Sequence, residues 1–309
     1  MSRVFPAPLK PGDRIAIVSP ASAFAREEFD AGVAELRRLG FVPEYDETVF
    51  AREAGYLAGT AELRAGSFLS AWRDPAIRAL IATRGGHGSV HLLPFLDRDV
   101  LRATPKLFIA YSDNTSLLSW LTCQCGMTAL HGPMLERRLS RGSDGYDESS
   151  FMALVQGGSG LALSPDGLLV LHDGEAAGPL YGGTLTQLTA SLGTPYAFDP
   201  PAGSILFIED VNERPYKIDR MLTQLYLSGV LSRASALVFG EMRSCDEPDG
   251  RVTARGVIQR FVNGFRGPVV FGFPSGHTAG PCWTVPLGVN VRLVTRPHPS
   301  LVIEEAPVE

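Results

Sequence analysis

A chain of 309 residues is long enough for two domains, each with its own core. With 45% apolar and 20% charged residues it has the composition of a soluble globular protein, and a net charge of −5 with no basic cluster argues against a nucleic-acid binder. The opening M-S-R-V-F-P-A-P-L-K-P-G-D holds no uninterrupted apolar segment of a signal peptide, and no run approaches a membrane span, so a cytoplasmic location is expected.

Gly12-Asp13-Arg14 is a turn. Ile15 to Ser19 is a first buried strand, stopped by Pro20. Arg26 to Leu39 follows helical spacing, with Phe29, Val33, Leu36 and Leu39 inward and Gly40 as its stop. Phe41 to Tyr45 is a second strand, and this β-α-β order implies a parallel sheet. The turn after the first strand reads S-P-A-S-A-F where a dinucleotide fold needs G-x-G-x-x-G, which excludes NAD or FAD there. A helix over Thr60 to Trp72 and a strand over Ile77 to Thr83 lead into Arg84-Gly85-Gly86-His87-Gly88. Glycines at this density let the backbone approach a ligand and aim N–H groups at it; a tight β-to-α turn explains them equally well. His87 and His91 are four apart, but H-G-S-V-H lacks the glutamate of a zinc-protease helix, so both read as ordinary residues.

The stretch K-L-F-I-A-Y-S-D-N-T-S-L-L-S-W-L, Lys106 to Leu121, runs an apolar strand directly into a helix. Ser112 stands at the break, where a hydroxyl meets the unpaired N–H groups that begin a helix, as in a nucleophile elbow. Ala110 and Asn114 occupy the usual glycine positions, and a simple helix cap is the competing reading. Ala129 to Met134 is a short strand and turn. Residues 141–177 are rich in Gly, Ser, Pro and Asp, with one short helix near Phe151, and read as a linker. They separate a nucleophile domain, 1–140, from a C-terminal domain, 178–309. In the latter, Gly182-Gly183 is a close-approach turn before a helix over Thr184 to Leu192. Ser204 to Ile208 is a strand ending at Glu209-Asp210, and a helix starts at Arg214-Pro215. Further strands cover Ala236 to Phe239, Val269 to Phe273, Thr284 to Leu287 and Asn290 to Val294, with a helix over Thr253 to Phe265. The cysteines, Cys123, Cys125, Cys245 and Cys282, are expected as free thiols, and the first two make a poor metal pair.

A serine nucleophile needs an imidazole base and an orienting carboxylate. Of six histidines, His277 sits just past a strand in a Gly-flanked loop, where it can reach across a cleft; His131 follows a strand closely, and His172 and His298 lie in polar ends. Glu209 closes an apolar strand, so its carboxylate is partly buried and needs a partner: the base, or an arginine such as Arg214 or Arg220. The order Ser112, Glu209, His277 is the nucleophile–acid–base order of α/β hydrolases. An oxyanion hole would come from the N–H of Asp113 and one from the glycine turn, at Gly86.

These segments together resemble the LD-carboxypeptidase family of serine peptidases, which includes microcin C self-immunity proteins. The matching pieces are G-D-R-I-A-I-V-S-P-A-S, T-R-G-G-H-G, Y-S-D-N-T, H-G-P-M, G-G-T-L, L-F-I-E-D with P-Y-K-I-D-R-M-L, and G-F-P-S-G-H, in family order over nearly the whole chain. The resemblance implies a Ser112–Glu209–His277 triad. It also implies an α/β fold: an N-terminal three-layer domain with a mainly parallel sheet, and a C-terminal α/β domain with β-barrel-like character. A site between the domains, a homodimer and no metal or cofactor are implied as well. The implied substrate is a cytoplasmic muropeptide tetrapeptide from wall recycling, cut before its terminal D-alanine. His87 stands where the family usually has tyrosine, which bears on the substrate wall; Arg84 is the candidate cation for the substrate carboxylate. Two other readings compete. One is an immunity-type hydrolase of peptidyl or acyl-sulfamoyl nucleotides, with Trp283 or Tyr181 stacking the base. The other is a non-catalytic ligand-binding protein that uses the cleft as a clamp.

Overall fold

The computed structural model describes residues 2–309. The first half of the chain builds strands β1 (Arg14–Val18), β2 (Val42–Glu44), β3 (Ile77–Ala82), β4 (Leu107–Ala110) and β5 (Ala129–His131), separated by helices α1 (Arg26–Arg38), α2 (Ala61–Arg73), α3 (Arg98–Ala103) and α4 (Thr115–Ser119). Of these strands, β1, β3 and β4 are short apolar runs buried on both faces, which is why they pair in parallel under helices. The cap signals hold locally. Thr60 accepts from the Leu63 amide to start α2, and Phe29, Val33, Leu36 and Leu39 are all buried along or just past α1.

The second half adds α5 (Glu148–Val155), β6 (Leu161–Leu163), β7 (Leu169–His172), β8 (Glu175–Thr184), α6 (Leu185–Ser191), β9 (Ile205–Glu209), α7 (Pro215–Leu227), β10 (Ala236–Gly240), α8 (Ala254–Phe261), β11 (Val269–Phe273), β12 (Val285–Leu287), β13 (Asn290–Val294) and β14 (Ser300–Ile303). Strands β8 to β11 pair in parallel, flanked by antiparallel strands in an eight-stranded sheet of order β6-β14-β13-β8-β9-β10-β11-β7. β6 and β7 end it as open edges, so the barrel-like character expected of this half is not a closed barrel among the described residues.

The sequence expectations differ from the structure in three places. Residues 141–177, read as a linker with one short helix, hold that helix as α5 and, beyond it, β6, β7 and the start of β8, because short strands with Leu-Val-Leu and Leu-Ala-Leu pair at the edges of the second sheet. Gly182-Gly183 is no turn but the end of β8, with φ 146° and 143°. A Cβ on Gly182 would lie 1.8 Å from the Phe207 carbonyl oxygen and one on Gly183 2.6 Å from the Thr115 side chain, so the close approach expected of these glycines is present in a strand rather than a turn. Finally, β12 leaves the C-terminal half and pairs antiparallel with β5, completing a six-stranded sheet of order β12-β5-β4-β3-β1-β2.

The two halves share a core. Ile205 and Phe207 of β9 belong to the cluster that fills the first half, while Leu206 and Ile208 face the cluster under α6, α7 and α8. This alternation decides where the strand's last residue points: Glu209 shares the face of Ile205 and Phe207, toward the first sheet. Gly182→Ala is expected to destabilise the protein by about 3 kcal/mol, since the methyl must displace the β9 backbone from a position of unusual φ; urea denaturation at unchanged slope checks it.

Candidate active site

The loops that follow β3, β4, β9, β10 and β11 all leave the carboxyl ends of parallel strands, and they border one cleft of about 820 Å³. That is where open parallel sheets place their ligand sites. Ser112, His277, Gly85, Gly86, Arg84 and Tyr111 line it.

Ser112 follows an extended Tyr111 with φ +64°, a conformation disfavoured for a side chain bearing a Cβ. The chain then tightens into a 3-10 turn over Ser112–Asn114 before α4, so the expected strand-to-helix break is sharper than a plain cap requires. Among the described residues the Ser112 hydroxyl makes no hydrogen bond, and it caps neither turn nor helix. Its neighbours hold the elbow. The Asp113 carboxylate accepts from the Ser89 amide at 2.8 Å, and the Asn114 amide donates to the Arg84 carbonyl at 2.9 Å. Gly85 packs against the elbow so closely that a Cβ there would lie 2.7 Å from Ser112 Oγ and 3.2 Å from the Asp113 nitrogen. Gly86 has φ +101°. The Asp113 nitrogen, at the start of the turn, and the Gly85 backbone thus lie close together beside the serine.

Glu209 is 1% exposed. Its Oε2 accepts from His277 Nδ1 at 2.8 Å and from the His277 amide at 3.1 Å, and its Oε1 accepts from the Thr184 hydroxyl. Burial alone would raise the Glu209 pKa; the charge and hydrogen bond of His277, with His131 and Thr184, outweigh it and bring it to about 2. Burial likewise works against a charged His277, but Glu209, aided by Asp210, leaves its pKa above the ordinary 6.5. Asp210 turns to the opposite face, where Thr186 and the Val211 amide donate to it; burial and the neighbouring Glu209 charge push it up to about 6. The arginines weighed as partners for Glu209 lie elsewhere, with Arg214 paired to Glu247.

Several residues around the pair were not assigned from sequence. His131, fully buried at the end of β5, meets Ser275 Oγ at 3.0 Å through Nδ1, and its Nε2 stands 4.0 Å from Glu209 Oε1 without a hydrogen-bond partner. Burial pushes its pKa down to about 4, so it stays neutral beside the carboxylate. Its place after a strand was the only signal. Arg138 is 4% exposed and donates to the carbonyls of Gly276 at 2.7 Å, Thr278 at 3.0 Å, Gly280 at 3.1 Å and Gly145 at 3.3 Å. One guanidinium thus clamps the loop that carries His277. Nothing in E-R-R-L distinguishes it from the exposed Arg137.

The substrate contacts read from sequence look different in place. Arg84 lines the cleft but is paired with Glu136 at 3.1 Å and donates to the Ala23 carbonyl, so its charge is already answered. His87 is exposed between Tyr56 and His91, with ring centroids 6.0 and 5.3 Å away, and does not border the cleft. Tyr181 is buried in the second core, Trp283 is half-buried with its edge against Phe273, and neither borders the cleft. Among the described residues no group of three or more His, Cys, Asp or Glu is placed to hold a metal ion.

An imidazole hydrogen-bonded to a buried carboxylate, in one cleft with a left-handed serine at a strand end, is the arrangement of an α/β serine hydrolase. The models of the LD-carboxypeptidase N-terminal domain and C-terminal domain match residues 15–132 and 177–293. A Streptomyces coelicolor protein with a carboxypeptidase name is 36% identical over 94% of this chain and 93% of its own length. The murein tetrapeptide carboxypeptidase of Pseudomonas aeruginosa is 33% identical over 86% of this chain and 88% of its own. Among solved structures, the microcin C7 self-immunity protein in complex with glutamyl sulfamoyl guanosine superposes with a TM-score of 0.88 at 26% identity, covering 99% of this chain and 100% of that one; the protein of that name in Escherichia coli is 30% identical. The chain belongs to the LD-carboxypeptidase family of serine peptidases, and is an enzyme of the carboxypeptidase class.

Two outcomes are expected. If His277 acts as the base, the acid limb of kcat/KM should lie above pH 6.5, because protonation would remove the base and Glu209 makes His277 easier to protonate. Residual activity of Glu209→Gln should show that limb displaced to lower pH, which a pH–rate profile reads directly. Arg138→Gln should cost about 1–3 kcal/mol in urea denaturation through carbonyls left unpaired.

Proposed function

We propose that this protein is an LD-carboxypeptidase that removes the terminal D-alanine from a muropeptide tetrapeptide in cell-wall recycling, through Ser112, Glu209 and His277. The observation that carries the reading is the Glu209–His277 hydrogen bond of 2.8 Å, in the cleft that Ser112 also lines. In this mechanism His277 takes the Ser112 proton through Nε2 while Nδ1–H stays on Glu209. The alkoxide attacks the carbonyl, and the Asp113 and Gly86 N–H groups hold the oxyanion. Collapse expels the amine of D-alanine, protonated by His277, and water then repeats the sequence on the acyl-enzyme. Catalytic hydrogen bonds commonly tighten on substrate binding, so a serine without a partner in the free cleft is compatible with this order of events. In this reading the enzyme works in the cytoplasm, as a homodimer. No helix of the described residues is long and apolar enough to cross a membrane.

The likeness to the microcin C7 self-immunity protein supports a second reading, hydrolysis of a peptidyl or acyl-sulfamoyl nucleotide by the same residues. It has less support, because neither of the two aromatic candidates for holding a base borders the cleft. Purified protein is expected to release D-alanine from a tetrapeptide and to leave a peptidyl nucleotide nearly untouched, as chromatography of both mixtures would display. Ser112→Ala should lower turnover by about 10⁴-fold or more while the peptide still binds. Preference for the nucleotide would reverse the assignment, and unchanged turnover would remove Ser112 from the chemistry.

A further inference from the structure

A carboxypeptidase must recognise a carboxylate one residue beyond the bond it cuts, and recognition of a carboxylate calls for an uncommitted cation. Two arginines of this cleft are committed: Arg84 answers Glu136, and Arg138 spends its donors on four backbone carbonyls. Arg137 and Arg141 have no side-chain partner among the described residues, but they lie on the wall that also carries the Glu27 and Glu28 carboxylates, which disfavours a second carboxylate there. Arg243 is the cation on the His277 side. Among the described residues its side chain makes no hydrogen bond or ion pair, and it lines the cleft beside Asn212 and His277.

Its position has a chemical meaning. If His277 protonates the departing amine, the leaving residue lies on the His277 side of the cleft. The turn after β10 is built into that side. The Glu241 carboxylate accepts from the Thr278 hydroxyl and from the Ala279 amide at 2.8 Å, tying the turn to the His277 loop. Asn212 donates its amide to the Arg243 carbonyl at 3.1 Å, tying it to the loop after Glu209. Three residues here adopt left-handed conformations without being glycine: Met242 at φ 50°, Ser244 at 56° and Asn212 at 59°. Met242 and Cys245 are buried and hold the turn from beneath. Left-handed residues on both sides of one exposed arginine, which has no side-chain partner among the described residues, mark a side chain positioned for a ligand.

We propose that Arg243 receives the terminal carboxylate of the departing residue and so restricts the enzyme to peptides with a free carboxyl end. The inference rests on the peptidase reading and adds a specificity residue to it. The test compares a tetrapeptide with its C-terminal carboxamide. Wild type is expected to lose roughly 10- to 100-fold in kcat/KM on the amide, from the lost charged hydrogen bonds. Arg243→Gln should lose a similar factor on the acid, mainly in KM, and little more on the amide, and Arg243→Lys should recover part of it. Calorimetry of Ser112→Ala protein with both peptides separates the two claims. Selective binding of the acid that depends on Arg243, without turnover by wild type, upholds the anchor and sinks the peptidase reading. Turnover with equal preference for acid and amide, or an Arg243→Gln protein as selective as wild type, overturns the anchor. Absence of any peptide binding overturns both.

Discussion

A carboxylate with 1% exposure is tolerable only if the surrounding groups replace the water it has lost, and Glu209 is the point on which this cleft depends. It accepts a ring N–H and a backbone N–H from the same residue, His277, which fixes both the loop and the tilt of the ring. Its other oxygen takes the Thr184 hydroxyl at the end of β8, and the neutral His131 stands behind it. Room is left for this by omission. A Cβ on Gly240 would lie 2.6 Å from the Glu209 Cβ, and one on Gly276 2.8 Å from both the Glu209 carboxyl carbon and the His131 ring. The two glycines let three polar side chains meet inside an apolar core.

The two adjacent carboxylates at the end of β9 show how strand parity divides labour. Glu209 faces the shared core and is held ionised by the ring and backbone N–H groups of His277 and by the Thr184 hydroxyl, with a pKa of about 2. Asp210 faces the other way, toward the start of α6, with only neutral donors, and sits at about 6. Neighbours in sequence thus differ by environment alone. The Glu209 side is joined to the nucleophile side by direct bonds. Thr184 donates its amide to Thr115 Oγ1 at 3.1 Å, and Arg138 reaches from the first half to the carbonyls around His277. The cleft is thus a preformed furrow held by hydrogen bonds between the halves.

Much of this was legible from residue order, because the relevant signals are local. Apolar runs of four or five residues that end within four residues of Ser112, Glu209 and His277 mark buried parallel strands, and residues just past such strands gather at one end of a sheet. The alternation along S-I-L-F-I-E-D even separates Glu209 from Asp210. What stayed hidden depends on partners distant in sequence. The commitment of Arg84 to Glu136, the burial of Arg138 beside an exposed Arg137 and the inward turn of Tyr181 leave no trace in spacing or composition. The edge strands β6 and β7 escaped because their flanks are rich in Gly, Ser and Asp, as linkers are. The left-handed backbone at Met242 and Ser244 is invisible in the same way, since no glycine advertises it.

The β12–β5 pairing has a temporal consequence. The sheet that carries Ser112 takes its last strand from residues 285–287, well over a hundred positions after β5. During synthesis the leading half therefore shows the ribosome's surroundings a bare strand edge until residues 285–287 have emerged. Cutting the gene at the boundary suggested by composition would leave that edge permanently open, ready to recruit a stranger's backbone, so the two halves are best regarded as a single product of translation.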